Sequence, residues 1–91
     1  MAKVFEIVEV EKWVDGSGFE YSTTYSSQVV DVSGDSPEEI RKYFDWSWWD
    51  KEELADGEDL KITVKYYRPD YDPAFDDDEP IAKFETWESE I

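Results

Sequence analysis

The chain has 91 residues, with 25 Asp and Glu against nine Lys and Arg, no His, no Cys and a formal net charge of −16 at pH 7. The missing Cys and His exclude disulfides, thiolate chemistry and imidazole bases or ligands, and so few bases disfavour nucleic acid or an anionic membrane as a direct ligand. Five Trp, six Tyr and five Phe supply the apolar burial that keeps an acidic chain from disorder, since each aromatic removes roughly 150–250 Å² from water. One acidic domain over residues 1–91 is the expectation.

Residues 3–14 are rich in β-branched and aromatic side chains and predict a strand. Asp15-Gly16-Ser17-Gly18 predicts a turn, with glycines free to take positive φ. Residues 19–32 then resume as a strand, with Phe19, Tyr21, Thr23 and Tyr25 on one face, Glu20, Ser22, Thr24 and Ser26 on the other, and room for a bulge at Ser26-Ser27-Gln28. The two runs predict an antiparallel hairpin. Ser33-Gly34-Asp35 ends it.

Ser36-Pro37-Glu38-Glu39 is a helix start. Ser36 suits the N-cap, Pro37 the first helical position, and Glu39 completes a capping box. Ile40, Tyr43, Phe44 and Trp48 form the apolar stripe. Either one helix continues to about residue 55, or Ser47 and Asp50 cap a second one running to Leu54, with Gly57 closing the segment. Leu60, Ile62, Val64 and Tyr66 alternate with Lys61, Thr63, Lys65 and Tyr67, so residues 60–67 predict a strand with the first set inward. Residues 68–80, with three prolines and six acids, predict a loop, and Ile81 to Glu88 a last strand. The fold expected is α+β: a mainly antiparallel four-stranded sheet with helix on one face, in the order β-β-α-β-β.

Enzyme chemistry finds no support here. There is no nucleophilic Cys, no His and no Gly-rich phosphate loop. No catalytic residue, metal or cofactor is expected. The acid-dense loop does not follow the EF-hand pattern: counting from Asp70, Phe75 stands where the glycine belongs and Ile81 where the last glutamate belongs. Asp70, Asp72, Asp76, Asp77, Asp78 and Glu79, interleaved with Tyr71 and Phe75, instead suit contact with a basic protein, because carboxylates pair with Arg and aromatics add contact area. The cluster Trp46-Ser47-Trp48-Trp49 cannot point three indoles one way on a helix. Trp48 belongs to the core stripe, which leaves Trp46 or Trp49 exposed beside Asp50 and Glu53 as a contact anchor. Glu9 and Glu11 stand two apart on a strand, about 6.6 Å or two phosphate steps along one DNA strand, so carboxylate rows can imitate a phosphate backbone.

In size, charge, lack of Cys and aromatic content, the whole chain resembles the small acidic proteins that phages direct against host defence, including DNA-mimic anti-CRISPR, anti-restriction and glycosylase-inhibitor proteins. The resemblance implies a basic nucleic-acid-binding partner, such as a CRISPR effector or restriction enzyme. An immunity protein or antitoxin facing a basic toxin fits the same electrostatics. So does a halophile housekeeping domain, which expects acids spread evenly over the surface. No apolar run approaches the roughly 18 residues of a membrane span, and residues 1–6 have no signal-peptide character, so a cytoplasmic location is expected.

Overall fold

A computed structural model describes residues 1–14 and 18–91. The strands are β1 (Ala2–Val14), β2 (Gly18–Val32), β3 (Glu58–Tyr67) and β4 (Ala82–Trp87), with one helix, α1 (Pro37–Tyr43), between β2 and β3. They form one four-stranded sheet in the order β2-β1-β3-β4, antiparallel at every step. The expected α+β order holds. The tip expected at Asp15-Gly16-Ser17 lies outside the described residues.

With β1 between them, β2 and β3 run parallel to each other, so the chain from 33 to 57 must cross a face of the sheet. That crossing builds the core. Val4, Val8 and Val10 of β1, Leu60, Ile62, Val64 and Tyr66 of β3, and Val32 of β2 bury one sheet face beneath Ile40 and Trp49. Phe44 lies flat on Phe84, with centroids 4.4 Å apart. On the opposite face, Tyr71 stacks on Tyr67 at 3.9 Å, so the 68–80 loop folds back over one end of the sheet. Thr63 and Tyr67 lie on the face away from the core, as expected, but both are buried there rather than open to solvent.

Two bulges break the alternation of β2. Val8 pairs with Ser26 but Glu9 with Thr24, leaving Tyr25 extra; Lys12 pairs with Tyr21 but Trp13 with Phe19, leaving Glu20 extra. A bulge shifts the face of every residue beyond it. Phe19 therefore leaves the face of Tyr21 and joins Trp13, centroids 5.6 Å apart. The first bulge falls one residue before the expected Ser26-Ser27-Gln28.

The helix starts as read but stops early. The Ser36 hydroxyl accepts from the Glu39 N–H at 3.3 Å. The Glu39 carboxylate takes the Ser33 hydroxyl at 2.8 Å in place of a reciprocal bond, so half of the capping box forms. After seven residues, Phe44 is already extended at φ −81° and ψ 136°. Asp45 Oδ1 then accepts the Ser47 N–H at 2.8 Å, an Asx turn that competes with helix. No helix follows through 44–55, which corrects both versions of the longer helical reading.

The molecule measures 43 × 29 × 17 Å with a radius of gyration of 14.3 Å, above the ~12 Å of a compact domain this long. The long, thin shape gives the charge a large surface to occupy.

Candidate functional site

Ion pairs divide the acids into two groups. Across the open face of the sheet, Glu9 meets Lys65 at 3.1 Å, Glu85 meets Lys61 at 3.7 Å and Lys83 at 3.8 Å, and Asp31 meets Lys3 at 2.9 Å. Glu11 stands in register with Lys61. Of the carboxylate row read on β1, Glu9 is therefore neutralised by a cross-strand lysine, while the ammonium of Lys61, opposite Glu11, pairs with Glu85. On the core face, Lys12 pairs with Glu58 at 2.6 Å. That hydrogen bond, together with one from the Ala55 N–H, holds the Glu58 carboxyl below its ordinary range.

The connections between elements are different. From 45 to 59, Asp45, Asp50, Glu52, Glu53, Asp56 and Asp59 have no ion-pair partner among the described residues, and Lys51 is the one base in that stretch. Several of these acids are fixed nonetheless. Asp59 accepts the Ser89 hydroxyl at 2.6 Å and the Leu60 N–H at 2.9 Å. Asp45 is held by Ser47, whose hydroxyl and amide keep the carboxyl below its usual range. Asp50 and Glu53 are exposed, as their expected contact role requires.

The 68–80 loop carries less free charge than its sequence implies. Arg68 gathers three of its acids: Asp70 at 3.0 Å, Asp76 at 2.9 Å, and Asp78. Asp76 also takes the Asp72 N–H at 2.9 Å, and Asp72 takes the Ala74 N–H at 2.9 Å. Asp77 and Glu79 are exposed with no ion-pair partner among the described residues. Of the interleaved aromatics, Tyr71 is used in packing on Tyr67, whereas Phe75 is 88% exposed. Among the described residues, no group of three or more acidic side chains forms a metal set.

The indole assignments need correction. Trp49, expected as an exposed candidate, is 6% exposed and belongs to the core; Trp48, assigned to the core stripe, is 43% exposed. Helical spacing does not apply once the chain leaves the helix at Phe44. A tight turn, with the Trp49 N–H donating to Trp46 O at 3.1 Å, swings Trp49 inward. Its indole N–H donates to buried Glu88 at 3.0 Å. Trp46 is half-buried against Phe44, with centroids 4.7 Å apart.

A cleft of about 330 Å³ opens between the helix end and the β1–β2 side of the sheet. Tyr25, Tyr43, Phe44, Trp48 and Tyr66 give it aromatic walls, and Glu6 and Asp45 give it carboxylates. Glu6 accepts the Tyr66 hydroxyl at 2.6 Å and the Gln28 amide at 3.3 Å. Burial, then the Glu6 bond, pushes the Tyr66 phenol far up; burial, then the charges of Glu6 and Asp45, pushes Tyr43 up. The sequence reading missed this site. Its one visible signal is Glu6, an acid in phase with the inward Val4, Val8 and Val10.

No protein-family model, curated protein or solved structure matches this chain. No helix among the described residues is long and apolar enough to cross a membrane.

Proposed function

We propose that the protein is an inhibitor that binds a basic nucleic-acid-binding protein, offering fixed carboxylates where that partner takes phosphates. The observation that carries this reading is the sorting of charge: Glu9, Asp31 and Glu85 on the open sheet face are paired with lysines, while unpaired acids concentrate on the 45–59 connection. Solubility alone, as in a halophile domain, asks only for evenly spread acid. Clustered carboxylates steer a basic partner and speed association by roughly 10- to 1,000-fold. The proposed contact surface comprises Asp50 and Glu53 with Trp46 at the rim, and a second acidic element at the opposite end of β3, where the 68–80 loop carries Asp77, Glu79 and exposed Phe75. Asp70, Asp76 and Asp78 shape that loop through Arg68, and Trp49 supports the surface from inside. The setting proposed is phage counter-defence of the anti-CRISPR or anti-restriction kind. Neutralising a basic toxin is the second reading, favoured by the same clustering.

The test compares two variants with the same change in net charge. Asp50→Asn with Glu53→Gln removes charge from the proposed contact; Ser22→Lys with Thr24→Lys adds it on the charge-balanced face. The first pair is expected to weaken binding of the basic partner captured at low salt by about tenfold, the cost of roughly 1.4 kcal/mol. The second is expected to have little effect. Equal weakening by both would reduce the interaction to unspecific charge attraction.

A further inference from the structure

We propose that the cleft between the helix end and the β1–β2 side of the sheet receives an arginine side chain of the basic partner. This inference rests on the reading above and names the chemistry of one contact within it. No Lys or Arg lines the cleft, although Glu6 and Asp45 both do. The two carboxylates thus line one and the same volume.

Both are held in place. Glu6 is fixed by Tyr66 and Gln28, and Asp45 by Ser47. A carboxylate accepts about four hydrogen bonds, so each keeps lone pairs for a ligand. Tyr25, Tyr43 and Trp48 pack their inner edges on Trp49 and Tyr66 yet remain roughly half exposed around this opening. A cation is attracted to the faces of such rings. The volume, about 330 Å³, sits at the small end of ligand sites, roughly 300–1,000 Å³, and suits one side chain. Flat aromatic walls beside carboxylates favour guanidinium over ammonium, because guanidinium stacks, is weakly hydrated and meets carboxylates in a planar fork.

An NMR titration with N-acetyl-arginine amide tests this, following the Ser47 amide and the Trp48 indole N–H. Parallel titrations use N-acetyl-lysine amide and N-acetyl-glutamine amide. Saturable shifts at both reporters are expected, with a Kd of order 1 mM, about −4 kcal/mol. The lysine amide should bind more weakly and the glutamine amide not at all. Asp45→Asn and Trp48→Ala, each checked for folding by its own spectrum, should each weaken arginine binding by about tenfold. Three results would overturn the inference: no shifts, equal binding of arginine and lysine amides, or equal shifts at Asp50, Asp77 and Glu79. The titration needs no protein partner. Its failure leaves the proposed inhibition standing, and failed competition with nucleic acid leaves arginine binding standing.

Discussion

Glu88 counts toward the negative charge of the chain, yet it is 3% exposed and binds the Trp49 indole N–H and the Glu52 amide. It anchors the acidic 50–55 stretch to the end of β4. Trp49→Phe keeps most of the ring's packing but leaves that buried carboxylate short of a donor. We expect a loss of about 1–3 kcal/mol, read as a lower urea midpoint; an unchanged midpoint would show that the bond contributes nothing. Neither role was legible in the sequence. Glu88 stands in phase with Ala82, Phe84 and Thr86, but its charge counted it among the free acids, and helical spacing sent Trp49 outward because nothing marked the Asp45–Ser47 turn as the helix stop. Residues whose neighbours set their face, such as Ile40 and Leu60, were read correctly.

The strands were legible because their alternation reflects one buried face, and the N-terminus of α1 because capping chemistry is local. The bulges in β2 were less so: their positions depend on pairing with β1, which only the assembled sheet fixes. The 68–80 loop shows the same limit. Its composition announced free acid, while Arg68, at the edge of the run, gathers Asp70, Asp76 and Asp78. Arg68→Ala should therefore loosen this element more than it destabilises the fold. Arg68 is partly exposed, so a stability loss of about 1 kcal/mol or less is expected. Hydrogen exchange should accelerate at the Tyr71, Phe75 and Asp76 amides, which close turns onto Arg68 and Asp72, and stay slow at Val8 and Val64. Unchanged exchange in the loop would mean that its turns hold without the arginine.

For the whole molecule, the tyrosines set an alkaline limit. Burial, then neighbouring Tyr71, pushes the Tyr67 phenol up to about 12, and Tyr66 shifts the same way. The unfolded chain releases these protons near the ordinary value of 10.0 while the folded chain keeps them. The stabilisation is fully present below about pH 10 and is lost as pH climbs toward the folded values. Urea midpoints should be level near pH 9 and fall above about pH 10, less steeply in Tyr66→Phe with Tyr67→Phe; equal slopes would contradict the assignment. The total charge was plain in the sequence, but its sorting into paired sheet faces and unpaired connections was not, because cross-strand lysines meet acids far away in the chain.

A protein with its free acids sorted in this way should compete with nucleic acid for one basic surface. The most direct measurement is fluorescence anisotropy of labelled duplex DNA bound to the basic protein captured at low salt, titrated with this acidic protein. Full displacement of the DNA is expected, with the concentration required rising steeply as salt screens the charges over a Debye length of about 10 Å at 0.1 M. A ternary complex, with the DNA still bound at saturating acidic protein, would contradict it.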